Sequence, residues 1–177
     1  MLSDALGKFK GKLFIYDRTG SRDWEDIKAC IIEQHLLDNV CEFFIDPLTA
    51  LISREDSSSA NDLLGIIMTD LADLVNTYPI TVLCFSHVNP PSKGSKSHEE
   101  GGKILSGQFY GSRSMERFSH LGLGLERDRS ADCPPEMVNR STVKILYDRN
   151  FGASGSVDMF YDTETTEYLE PKRGYNY

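Results

Sequence analysis

Hydrophobic positions fall in short apolar runs separated by longer amphipathic stretches. Lys12 to Asp17 (KLFIYD) predicts a first strand. Asp23 to Leu37 predicts a helix, with Trp24, Ile27, Ile31 and either Gln34 or His35 at helical spacing behind a Ser21 or Asp23 cap. Cys41 to Asp46 (CEFFID) predicts a second strand, and its unbroken apolar character predicts burial on both faces. The serine-rich stretch Ser53 to Ser59 is expected to be a polar loop. Asn61 to Thr77 then predicts a helix with Leu63, Leu64, Ile67, Leu71, Leu74 and Val75 on one face, stopped by Tyr78-Pro79. Thr81 to Phe85 predicts a third buried strand that closes at Ser86-His87. This alternation is that of an α/β fold, a doubly wound parallel sheet with right-handed crossover helices. Ligands in such sheets lie beyond the carboxyl ends of the strands, where both Asp46 and His87 fall.

Periodicity is lost from Val88 to Gly107, a polar stretch broken by Pro90, Pro91, Gly94, Gly101, Gly102 and Gly107 and holding Lys93, Lys96 and Lys103. It predicts a long flexible loop of the kind that carries function. A helical turn around Ser112 to Phe118 follows. Three strand-like runs, Leu121 to Glu126, Thr142 to Asp148 and Val157 to Tyr161, are spaced too closely for crossover helices and predict an antiparallel extension of the sheet, with Gly152 to Gly155 turning between the last two. The whole of 1–177 is expected to be one domain, with 172–177 a tail.

Composition narrows the class. At 177 residues the chain can bury the core of one ordinary domain, and 40% hydrophobic with 26% charged residues is a soluble globular balance. No apolar run approaches the ~20 residues of a membrane span, and Leu13 to Tyr16 is too short for a signal peptide, so a cytoplasmic setting without membrane partners is expected. Cys30, Cys41, Cys84 and Cys133 lack CxxC spacing and predict buried, reduced thiols rather than disulfides or a zinc site. A net charge of −8 excludes a protein that coats nucleic acid with its whole surface. Any nucleic-acid contact must be a local basic patch.

Several residues can carry chemistry. Asp46 ends an apolar strand, where a carboxylate either holds magnesium or caps the following loop. His87 ends the next strand and either donates to a phosphate or is structural. The lysines of the loop can neutralise a single strand's phosphates while its glycines allow close approach, or the loop is merely solvated. Arg149 follows the strand VKILYD, where its guanidinium either reaches a phosphate across a subunit boundary or pairs with Asp148 or Asp128. Arg127 in GLERD and Tyr161 in MFYD each offer a flat face for a base, or pack.

The succession FFIDPLTAL, VLCFSHVNPP, SHEEGGK, FYGSRSMERFSHLGLGLERD, VKILYDRNFGASG and MFYD…YLEP resembles, in order and spacing, the C-terminal motor of superfamily-4 replicative helicases. The likeness runs from about Phe9 to Pro171 and is greatest to phage T-odd-type primase-helicases and Twinkle-like helicases, with bacterial DnaB more distant. It implies a RecA-like core and a hexameric ATP-dependent DNA helicase acting in replication. Asp46 would be the Walker B acid that holds Mg2+ with ATP, and His87 the phosphate sensor. Lys93, Gly94, Lys96 and Lys103 would grip single-stranded DNA. Arg149 would be the finger offered to a neighbour's ATP, while Arg127 and Tyr161 would flank the adenine of this subunit's own nucleotide.

The sequence also departs from that family. It contains no G-x-x-x-x-G-K-[ST], and its Gly-Lys pairs (Gly7-Lys8, Gly11-Lys12, Gly102-Lys103) precede neither Ser nor Thr. The P-loop and a catalytic glutamate precede the matched region in the family, so the expectation is a partial RecA-like domain completed by a P-loop-bearing chain or segment. Arg113, Glu116 and Arg117 stand where members often carry a glutamine, and Tyr147 stands where many carry a lysine. A second expectation is a non-catalytic RecA-like module that binds DNA or a helicase ring. A third, less economical, is an unrelated α/β enzyme using Asp46 and His87 as acid and base.

Overall fold

The computed structural model describes residues 13–16 and 23–170. The Ser21 cap, Lys12, Asp17 and the 172–177 tail lie outside them. Leu13 to Tyr16, the middle of the expected first strand, pair with no strand among the described residues and are exposed.

Helix α1 (Trp24–Asp38) starts behind Asp23, whose carboxylate accepts from the Glu25 N–H, and ends on Asn39 in the left-handed region. Strand β1 (Glu42–Ile45) leads through a 3-10 turn (Leu48–Ala50) to α2 (Ser57–Thr77). The expected serine loop is corrected here. Asp56 caps the helix by accepting from the Ser58 and Ser59 N–H groups, so Ser57 to Ser59 form its first turn. Strand β2 (Thr81–Cys84) lies parallel to β1 with Ile45 opposite Cys84.

The helices cover one face of this pair. Phe43, Ile45, Val82 and Cys84 lie against a core built from Trp24, Ile31, Leu48, Leu64, Ile67, Leu71, Leu74 and Met115. The four thiols are free, but the expected burial is corrected: Cys41 is exposed and the others are only partly buried. At Cys84, burial pushes the thiol up to about 11, which leaves it protonated at neutral pH. The other face carries Phe44, Leu83 and Phe85, respectively 61%, 40% and 48% exposed. Burial on both faces, expected from the apolar runs, is therefore corrected: among the described residues only one face is covered.

After the long loop and a second 3-10 turn (Ser106–Gln108), α3 (Ser112–Phe118) leads into β3 (Leu121–Glu126), β4 (Arg140–Asp148), β5 (Gly155–Asp162) and β6 (Glu167–Leu169). These four pair in sequence order, all antiparallel, as a sheet of their own. Strand β3 inverts the usual pattern. Gly122 and Gly124 face inward, while Leu121, Leu123 and Leu125 are exposed. The inward glycines are required by close approach, since a Cβ on Gly122 would sit 2.3 Å from the Tyr147 ring. Gly111, before α3, has φ +64 and abuts buried Leu64. No described helix is long and apolar enough to cross a membrane.

One polar cluster ties α1 to α2. Trp24 Nε1 donates to Asp70 Oδ2 at 2.7 Å, and Lys28 Nζ lies 3.0 Å from the same oxygen. Burial raises the Asp70 carboxyl, but the Trp24 N–H and Lys28 outweigh it and hold the group below its ordinary value of 3.8. A depressed folded-state value means stability that is present above the unfolded value and lost as pH falls through the folded one. Urea denaturation should show Asp70→Ala destabilised by about 2 kcal/mol at neutral pH, with the gap to wild type closing below about pH 4.

Candidate functional site

Parallel pairing delivers the ends of β1 and β2 to one edge. Beyond the last register pair, Phe85 N–H donates to the Ile45 carbonyl at 2.9 Å and Leu48 N–H donates to the Phe85 carbonyl at 2.7 Å. Asp46 and His87 thus project from the same end of the sheet, both exposed. Fully buried Leu48 anchors the turn that follows Asp46, and the next residue, Thr49, places Oγ1 2.8 Å from His87 Nδ1. No described residue forms a hydrogen bond or ion pair with the Asp46 carboxylate. Among the described residues no group of three His, Cys, Asp or Glu side chains is placed to hold a metal ion. A single free carboxylate suits magnesium, which is usually held by one or two carboxylates with water and phosphate oxygens.

The 88–107 loop begins and ends beside His87. Tyr110 N–H donates to the His87 carbonyl, Asn89 N–H to the Gln108 carbonyl at 2.7 Å, and Val88 bridges Phe109. Within the loop, His98 sets Nε2 3.2 Å from the Asn89 carbonyl oxygen and Nδ1 3.4 Å from that of Gly102. Its far side is fastened to the end of β3: Arg129 N–H donates to the Glu99 carbonyl, Ile104 N–H to the Glu126 carboxylate, and Glu100 bridges Asp128. Lys93 and Gly94 form the tip of a turn closed by Ser95 N–H to the Ser92 carbonyl, and Gly94 takes φ +93 there. Lys93, Lys96 and Lys103 are exposed. Ser130, through hydroxyl and N–H, holds the Asp128 carboxyl below its ordinary value, and Lys96 adds to this.

Arg149 stands just past β4. Its guanidinium donates to the Glu116 carbonyl in the last turn of α3, where helix carbonyls lack intrahelical partners. It does not pair with Asp148, whose oxygens accept from the Asn150, Phe151 and Ala153 N–H groups and shape the β4–β5 turn. Tyr147, two residues before, shares a 2.6 Å hydrogen bond with Ser119 and fills the space left by Gly122. Burial raises its phenol above the ordinary range.

Arg127 and Tyr161 meet through a residue that sequence reasoning missed. Arg127 Nε donates to the Val138 carbonyl and Nη2 to Asn139 Oδ1, each at 3.0 Å, while Tyr161 N–H donates to the Asn139 carbonyl at 2.9 Å. The Tyr161 ring lies 5.3 Å from that of Tyr168 on β6. Neither Asn139 nor Thr49 has a sequence signal, because each acts through a tertiary contact. A groove of about 550 Å³ between α2 and α3, lined by Asp62, Ile66, Asp70, Arg113, Arg117 and Phe118 among others, contains none of these residues.

The sequence matches no family model, and no curated protein is detectably related to it. Solved structures do match. One described as an ATPase domain superposes with a TM-score of 0.73 at 17% identity, covering 97% of this chain and 59% of that one. A DnaB-like replicative helicase, in a structure concerned with its interactions with primase, gives 0.75 at 18% identity, covering 97% of this chain and 41% of that one. The chain thus spans less than two thirds of either.

Gly102 packs its α-carbon against the Lys96 and Ser97 carbonyls, where an added Cβ would lie 2.3 Å from the Lys96 oxygen. Gly102→Ala should therefore open the loop, and trypsin should cleave after Lys96 and Lys103 severalfold faster than in wild type. Over nearly its whole length, the chain has the RecA-like α/β fold of DnaB-like helicase ATPase domains.

Proposed function

We propose that this chain is the nucleotide-sensing and DNA-gripping portion of a ring-forming, ATP-dependent DNA helicase of the replicative type. The observation that carries the reading is the parallel register that brings Asp46 and His87 to one end of β1 and β2, in the fold of DnaB-like ATPase domains. Asp46 would hold magnesium, which when bound neutralises phosphate charge as it develops. His87 would donate to the terminal phosphate. Arg149 would leave the Glu116 carbonyl for the nucleotide of an adjacent subunit, and Arg127 with Tyr161 would flank this subunit's adenine. The tip at Lys93 and Gly94, with Lys96 and Lys103, would follow a single strand's backbone.

The bare face of β1 and β2 and the exposed leucines of β3 support completion by a further segment carrying the P-loop. Mixing the chain with such a segment should restore DNA-stimulated ATPase and should lower dye binding to the exposed apolar faces. Arg149→Ala should then reduce turnover about 10³-fold or more while leaving DNA affinity unchanged. Undiminished turnover in that variant removes the finger from the reading. Neutralising Lys93 and Lys96 together should flatten the log–log salt dependence of single-strand binding by roughly 1.4, about 0.7 per lost phosphate contact.

A second reading, a non-catalytic RecA-like module that binds DNA or a helicase ring, is favoured by one observation: the 177 residues contain no G-x-x-x-x-G-K-[ST]. ATP turnover by the chain alone eliminates it.

A further inference from the structure

The turn after Asp46 does more than cross the sheet edge. Leu48 is fully buried and its N–H is bonded to the Phe85 carbonyl, so the turn is pinned to the end of β2 at both side chain and backbone. Thr49 follows directly, and its Oγ1 lies 2.8 Å from His87 Nδ1 across 38 residues of sequence. His87's backbone is separately fixed, its carbonyl accepting from the Tyr110 N–H at 3.3 Å and from the Ser86 hydroxyl at 3.1 Å. With main chain and Nδ1 both engaged, the ring has one nitrogen left to face outward.

We infer that Thr49 is the positioning residue for His87: its hydroxyl donates to Nδ1, holds the neutral ring as the Nε2–H tautomer, and aims that N–H away from the sheet edge. A neutral imidazole has one donor and one acceptor nitrogen, so fixing Nδ1 as the acceptor makes Nε2 the donor. Only this tautomer can donate to an anionic oxygen beyond the strand ends; the other would present a lone pair. The reverse bond, Nδ1–H to the threonine oxygen, satisfies the same distance but leaves the outward nitrogen repelling an anion. Because Thr49 is three residues beyond Asp46, a displacement of the Asp46 turn also displaces the hydroxyl that orients His87. The anion-directed purpose of this arrangement rests on the proposed reading of His87; the orientation itself does not.

The test is long-range imidazole 1H–15N correlation on the uniformly 15N-labelled full chain at about pH 8.5, above the ordinary imidazole range. The His87 signals are identified by their loss in His87→Gln. Wild type should show a pyridine-type Nδ1 and a pyrrole-type Nε2. Thr49→Val, which keeps the shape and removes the hydroxyl, should shift the tautomer ratio about fivefold toward Nδ1–H, the change expected from losing one hydrogen bond. Thr49→Ser should restore the wild-type pattern, and thermal melts of all three should confirm that each is folded. An Nδ1–H tautomer in wild type overturns the inference. So does a wild-type pattern in folded Thr49→Val, or a Thr49→Ser pattern like that of the valine variant. Titration with inorganic phosphate, followed on the same signals, addresses the reading beneath. If the tautomer results hold but phosphate moves no His87 signal, the chain by itself does not present His87 to phosphate, and Thr49 still positions it.

Discussion

The parallel pairing of β1 with β2 at a single register is the constraint on which the rest depends. Side chains alternate between faces, so a slip of one residue would turn Phe43 and Ile45 out of the helical core and Phe44 into it. The same slip would carry Asp46 out of step with His87. The register is held beyond the strands by the bonds from Phe85 N–H to Ile45 and from Leu48 N–H to Phe85, which bend the chain back across the end of β2. Leu48 then occupies a fully buried position, so the turn cannot shift without opening the core. Packing chemistry and site geometry are therefore set by one interaction.

From His87 the connection to the remaining candidate residues is nearly continuous. The histidine's own carbonyl closes the neck of the 88–107 loop, His98 spans the loop interior, and the Glu99 to Arg129 and Glu126 to Ile104 bonds fasten its return to the end of β3. Arg127, at that end, is tied through Asn139 to Tyr161 on β5. The phosphate-facing, DNA-facing and base-facing residues of the proposed function thus lie on one hydrogen-bonded path. Arg149 is fastened at the opposite end of the same sheet, its N–H donating to the His120 carbonyl and its guanidinium to the Glu116 carbonyl of α3, while the Asp148 carboxylate is committed to its own turn.

Much of this was legible where a period or a terminator was strong. The helix from Ser112 to Phe118 and the strand from Leu121 to Glu126 have the bounds that the pattern predicts, and strand ends placed Asp46 and His87 at one edge. The start of α2 was misplaced because three serines read as loop, although Asp56 before them is an ordinary helix cap. Strand β6, three exposed residues long, has no pattern to detect. A run such as EFFI shows apolar character but not which of its faces is covered, so the bare face of the pair could not be read from it. Thr49, Ser119 and Asn139 matter through partners 12 to 38 positions away, a spacing that no local rule anticipates.

The inverted pattern of β3 bears on what those bare faces are for. Glycine faces inward because the Tyr147 ring and Leu146 already fill that side, so the three leucines must point the other way. Together with Phe44, Leu83 and Phe85 they leave six large apolar side chains 40–61% exposed among the described residues, and burying the exposed part of each would contribute on the order of 1 kcal/mol. A segment that covered both faces would gain that energy and would also run beside the edge where Asp46 and His87 emerge. Under the proposed function, burying the sheet and completing the nucleotide site are the same event. Such a coupling would ensure that the site forms only in an assembly able to use it, since the surface that would recruit a P-loop-bearing segment is the one that would be buried as the nucleotide site closes.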